Sequence, residues 1–186
     1  SLAFAAARGF GLACAHDGDK PIASPVPFHI EYGRDGTPLV CFHLARHNPL
    51  LGLADGVSSW LFAVSGPDAY VSADWYVSPD QVPTWLYQAV HMTGPVRPMI
   101  GRQLAEHLGL VSARFENELA PKRPWTMDKM SAGRREAMMK GIVGLVMSVE
   151  DVEGSFKLNQ HKSDADHVAV SAALALQKST DARDLS

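Results

Sequence analysis

The chain has 186 residues, 46% of them apolar and 20% charged, with 15 Gly and 12 Pro spread along it. That is the composition of a single globular domain spanning 1–186 around one shared core, and it excludes collagen, coiled coil and wholesale disorder. A formal net charge of −3 argues against a protein whose main business is wrapping nucleic acid, and the longest purely apolar stretch, Leu2 to Ala7, falls far short of the roughly 20 residues of a membrane crossing, so the chain reads as cytoplasmic.

The first hundred residues read as β structure broken by turn signals. Residues 9–15 and 21–30 flank His16-Asp17-Gly18-Asp19, which predicts a hairpin. Gly33-Arg34-Asp35-Gly36 repeats that chemistry and leads into a third strand, Pro38 to His43. In the run 58–65, Trp60, Phe62 and Val64 alternate with Leu61 and Ala63, and both faces look buried. From Trp85 to Thr93 the alternation places Trp85, Tyr87 and Ala89 on one side and Leu86, Gln88 and Val90 on the other. Short strands at this spacing predict a barrel or a sandwich. Cys14 and Cys41 each sit within such an apolar run, where a thiol serves as a small core group, and neither a disulfide nor a metal cluster is expected of them.

After Pro98 the period changes. Leu104, Leu108, Val111, Phe115 and Leu119 follow a 3.6-residue stripe, predicting an amphipathic helix over 101–119 that ends before Pro121. A second helix is expected around 128–140. Between Arg97 and Lys140 nine Lys/Arg stand against five Asp/Glu, but the long connection through Pro121 and Pro124 does not suit a DNA-reading helix-turn-helix, which needs a tight turn. Strand character returns over 142–149, with 154–158 as its expected hairpin partner. Ser163, followed three positions later by Asp166, caps a last helix running to about Gln177, and the polar tail 179–186 is expected to fray.

Three segments could carry chemistry. His43-Leu44-Ala45-Arg46-His47-Asn48-Pro49 offers a cation and donors suited to an anion, although it also reads as a solvated turn. His43 and His47 lack the third ligand and helical setting of a zinc site. Tyr76 and the run Thr84-Trp85-Leu86-Tyr87 offer rings and a hydroxyl for a flat conjugated ligand, or equally for a core or dimer contact. Lys157-Leu158-Asn159-Gln160-His161-Lys162 precedes the last helix and could seat a phosphate. No GxSxG, GxGxxG or P-loop is present, so catalysis by protein groups alone is poorly supported and no catalytic residue is assigned.

These segments resemble the PaiB-type FMN-binding negative transcriptional regulators, relatives of the pyridoxamine-phosphate-oxidase-like split barrels. Val26-Pro27-Phe28, the 43–49 segment, 66–76, 82–94 and 141–162 match the family in order over nearly the whole chain. The resemblance implies an α+β fold, a split β-barrel of the FMN-binding type with peripheral helices, that dimerises and binds FMN at the dimer interface. It implies cofactor contacts from His43, Arg46, Asn48, Tyr76, Thr84, Trp85, Tyr87, Lys157, Asn159, Gln160 and Lys162, with no metal. Arg46, Lys157 and Lys162, helped by Asn159 and Gln160, are expected around the phosphate, and Trp85 and Tyr87 along the ring. An FMN-dependent oxidoreductase and a haem-binding relative are the alternatives, and direct DNA binding is not expected.

Overall fold

A computed structural model describes residues 1–186. The elements are α1 (Leu2–Arg8), β1 (Phe10–His16), β2 (Pro21–Tyr32), β3 (Pro38–Ala45), β4 (Ser59–Val71), β5 (Thr84–Pro98), α2 (Gln103–Asn117), α3 (Ala132–Lys140), β6 (Ile142–Ser148), β7 (Asp151–Lys157), α4 (Asp164–Ala175) and α5 (Thr180–Asp184). In hydrogen-bonding order the strands run β4-β1-β2-β3-β6-β5-β7, and a further pairing of β4 with β5 closes the first six into a ring. A closed order of this kind is a barrel and not a sandwich. By contacts the chain forms two compact units, Ser1–Val64 with His91–Val152, and Ser65–Val90 with Glu153–Ser186.

In the first unit the turn chemistry acts as the sequence predicts. Asp17 Oδ1 accepts from the N–H groups of Asp19 and Lys20 at 2.9 and 2.8 Å, Gly18 adopts φ 98°, and β1 returns as β2 with Leu12 opposite Pro25. Alternation then directs Phe28, Phe42, Trp60 and Phe62 into one core, all 1% exposed or less. Phe28 meets Phe62 edge-on at 4.8 Å between ring centroids, and Phe42 lies 5.4 Å from Phe62. Gly11 admits this packing, because a Cβ there would lie 2.6 Å from the Phe62 ring. β6 pairs with β3 from Leu39–Ser148 to Ala45–Ile142, and four consecutive residues of β6 are buried, as its two-sided apolar pattern predicts.

The second unit holds the later part of β4, the start of β5, most of β7, and helices α4 and α5. Its core is Ala69, Val71, Leu86, Val170, Leu174 and Ala182, with Trp75, Tyr76, Leu158 and Leu185 packed against it.

Three expectations are corrected. Residues 2–8 form a helix and not β structure; Gly9, at φ 62°, ends it by donating its N–H to Ala5 O, as a left-handed C-cap does. β7 is not the hairpin partner of β6 but lies beside β5, because after β6 the Glu150 N–H donates to Thr93 O at 2.8 Å and carries the chain across to that strand. The polar tail carries α5, capped by Ser179 and anchored by Ala182, which is 4% exposed.

Candidate functional site

The start of β5 separates two jobs by strand parity. Leu86 is 4% exposed and faces the core, while its neighbours Trp85 and Tyr87 are 53% and 41% exposed on the opposite face. Tyr70 of β4, also exposed, packs edge-on against Trp85 at 6.0 Å between centroids. Trp85, Tyr70 and Trp75 wall an open cleft of about 660 Å³, with Asp68 and Lys178 at its polar side.

The second unit also holds a group of cations and donors around Thr84, Tyr76 and Gln81. Lys157 Nζ donates to Thr84 Oγ1 at 2.7 Å. Lys162 Nζ lies 5.0 Å from the Tyr76 ring centroid and donates to Gln81 Oε1. Asn159 is 4% exposed, adopts φ 61°, and donates from Nδ2 to the Tyr76 hydroxyl at 2.9 Å. Asn is one of the few residues that tolerates that backbone region, so its position shapes the loop while its amide braces Tyr76. Gln160 folds onto its own loop, donating to Phe156 O and accepting from Leu158 N–H at 2.9 Å. Ser163 caps α4 as the sequence predicts, accepting from Asp166 N–H at 3.2 Å.

His43, Arg46 and Asn48 belong to the first unit, and each is engaged locally. Asn48 Oδ1 caps a short 3-10 turn by accepting from Leu50 N–H at 3.0 Å, and its Nδ2 donates to Ser24 Oγ at 3.1 Å. Arg46 ties two carbonyls, donating to Lys140 O and, at 3.2 Å, to Ile142 O. It also lines a cavity of about 480 Å³ with Arg135, Glu136 and Lys140. His43 Nδ1 lies 2.9 Å from Nε2 of His107, a buried α2 side chain absent from the sequence-based candidates. The signal for His107 was present, since it stands one helical turn before Val111 on the apolar stripe. Burial, and secondarily the charges of His43 and His29, hold His107 down at about 3, and burial lowers His43 as well, so this cluster is neutral near pH 7. Gln81 and Tyr70 were also missed; both come near the site only through pairing across loops and strands.

The residues present fit a flavin. Two ammonium groups with hydroxyl and amide donors suit a phosphate, and exposed rings on one strand face suit an isoalloxazine. A closed six-strand order carrying such a face is that of the flavin-binding split barrels, and solved structures bear out the fold. The FAD and heme binding protein from Mycobacterium smegmatis superposes with a TM-score of 0.55 at 16% identity, over 87% of this chain and 72% of that one. The flavocytochrome Anf3 from Azotobacter vinelandii gives 0.55 at 16%, over 90% and 71%.

In sequence, the chain is 32% identical over 182 residues to the Bacillus subtilis "Protease synthase and sporulation protein PAI 2", covering 98% of this chain and 86% of that protein. The model of the family described as "Putative FMN-binding domain" matches residues 1–151, and the chain belongs to that family.

Proposed function

We propose that the chain binds FMN non-covalently at an interface between two copies of itself, and that it acts as a flavin-responsive regulator of the PaiB type. The observation that carries this reading is the outward face of β5. Trp85 and Tyr87 stand in solvent on one face of the strand, and exposed rings side by side mark a surface built to be covered. Lys157 and Lys162 would hold the phosphate, with Thr84 as a further donor, while Trp85 and Tyr87 would line the ring and exclude water from it. Tyr76, Asn159 and Gln160 shape the loop that presents the lysines. When bound, a flavin supplies one- and two-electron redox chemistry. A ligand that binds only the folded dimer also stabilises it by mass action, which is a means of control without catalysis.

Direct DNA binding is not part of this reading: of the nine cations between Arg97 and Lys140, Arg114, Lys122, Arg135 and Lys140 are paired with Glu118, Glu116, Asp128 and Glu136, and a net excess of four would at best give weak, salt-sensitive contact with phosphates. A haem reading has one observation in its favour, since His43 lines an apolar pocket with Met127, Met130, Met138 and Met139. That pocket, at about 280 Å³, lies below the roughly 300–1,000 Å³ typical of drug-sized ligands, and a haem macrocycle needs more.

Titration of purified protein with FMN, FAD and haemin, followed by flavin fluorescence and haem absorbance, tests the assignment. The expected result is saturable FMN binding, with affinity about tenfold weaker in Lys157→Ala, as the loss of one charge-assisted phosphate contact implies. Light scattering should give a dimer, and FMN should raise the melting temperature. No FMN binding, a preference for haemin, or unchanged affinity in both Lys157→Ala and Lys162→Ala would overturn it.

A further inference from the structure

The outer face of the β2–β3 pair, beneath α2, brings together three metal-ligating side chains, His29, Glu31 and Cys41, that are not among the residues assigned to FMN. Residues directly opposite on paired strands, and residues two apart on one strand, share a face. His29 lies opposite Cys41, and Glu31 is two residues along β2 from His29. His29, Glu31 and Cys41 accordingly present an imidazole nitrogen, a carboxylate oxygen and a sulfur that all lie within 4.8 Å of one another.

His29 is oriented for ligation. Its Nδ1 lies 3.0 Å from Nδ1 of His107, whose Nε2 in turn lies 2.9 Å from His43 Nδ1. When His29 Nδ1–H donates to His107, and His107 Nε2–H to His43, the three neutral rings satisfy one another and leave a lone pair on His29 Nε2. That atom is enclosed and has no hydrogen-bond partner, the Glu31 carboxylate being 3.6 Å away. A ligating histidine whose other ring nitrogen is held by a hydrogen-bonded partner is the usual arrangement in metal sites. Glu31, with 45% of its side chain exposed, gives the face an opening to solvent.

We propose that His29 Nε2, a Glu31 carboxylate oxygen and Cys41 Sγ form a binding site for a zinc-class divalent cation, with His107 and His43 as positioning residues and a fourth coordination place left for water. The mixture of imidazole, carboxylate and thiolate is that of Zn²⁺ and Co²⁺ and not of Mg²⁺ or Ca²⁺, which take oxygen ligands. Bond lengths of about 2.0–2.3 Å in a tetrahedral site separate ligand atoms by roughly 3.3–3.8 Å, so the side chains need draw in by only about 1 Å. Cys41 is 2% exposed, and in the metal-free protein it is a thiol. Binding exchanges the S–H bond for an S–metal bond and releases that proton to water. Arg97 of β5 also approaches this face, since Cys41 and Arg97 both pair with Val146 from either side, and its charge favours the thiolate.

The test is titration of the chelator-treated, full-length, flavin-free protein with Co²⁺, read by the thiolate-to-cobalt charge-transfer band, so that its outcome is independent of FMN binding. The expected result is a band saturating at one Co²⁺ per chain and displaced by Zn²⁺. It should be abolished in Cys41→Ser, kept in Cys14→Ser, and formed with about 10–100-fold weaker affinity in Glu31→Gln and His107→Asn. Absence of the band at stoichiometric Co²⁺, or its survival in Cys41→Ser, would overturn the site. Should Cys41→Ser fail to fold, Glu31→Gln decides the matter, because it alters a half-exposed side chain; unchanged Co²⁺ affinity there would equally overturn the site.

Discussion

Ser78 and Asp166 are locked together, Ser78 Oγ donating to Asp166 Oδ2 at 2.7 Å while Asp166 Oδ1 accepts from the backbone N–H groups of Ser78 and Val77 at 2.9 Å each. Asp166 sits in the first turn of α4 and also accepts from the Ser163 hydroxyl at 2.9 Å. One buried carboxylate thus fastens the loop after Tyr76 to the helix that follows the Lys157–Lys162 segment.

The Ser78 backbone N–H, then its hydroxyl, and then Ser163 and Val77 hold the Asp166 carboxyl well below its ordinary value of 3.8. A carboxyl depressed in the folded state contributes stability that is complete above the unfolded value and is lost as pH falls toward the folded one. Asp166→Asn should therefore be less stable than the parent at about pH 7, and the gap should narrow as pH falls below about 3.8. Urea unfolding midpoints at the two ends of that range check this. Parallel curves would show that the carboxylate charge does nothing.

Asn159 combines a left-handed backbone with a side-chain bond to Tyr76. Asn159→Ala should cost about 1–3 kcal/mol, from the conformation and from the lost hydrogen bond at a buried position. Asn159→Gly should lose only the hydrogen-bond part, since glycine adopts that conformation freely. Thermal denaturation of the two variants reads the difference; equal losses would show that the backbone conformation is irrelevant there.

Adjacent residues of β5 should fail in different ways. Leu86→Ala removes a fully packed side chain and should cost about 2–5 kcal/mol. Trp85→Ala, at a position more than half exposed, should cost less than about 1 kcal/mol and should instead weaken flavin affinity or relieve fluorescence quenching. Chemical denaturation and flavin titration on both variants form the check, and equal stability losses with unaltered binding would assign Trp85 to the core.

Gly94 has no room for a side chain, because a Cβ there would overlap the carbonyl oxygen of Ser148 and lie 3.3 Å from Glu150 N. Those are backbone atoms and cannot swing aside. Gly94→Ala should cost about 1–3 kcal/mol or more, whereas Gly52→Ala, in open space, should be near neutral. Melting temperatures of the pair decide it.

Local chemistry made much of this protein readable from its residues. The Asp-Gly turns, the cap formed by Ser163 and Asp166, the stripe of α2 and the parity of Trp85, Leu86 and Tyr87 are all set by neighbours within a few positions. The family motifs added the barrel, and the closed strand order bears the barrel out. Leu2–Arg8 escaped because a six-residue apolar run shows no period, and its helical state depends on the left-handed Gly9 after it.

Composition, turn chemistry and alternation by themselves determined where most of the strands and the long helices run and which side of β5 faces outward, because each is a property of short-range sterics and burial. Beyond the hairpins that local turns set, tertiary structure alone decided which strands meet. It put β7 beside β5, seated His107 between His29 and His43, and brought Cys41 opposite His29. Those contacts join residues separated by 12 to 78 positions, and register between distant strands is fixed by the packing of the whole barrel, which leaves no mark in the spacing of any one segment.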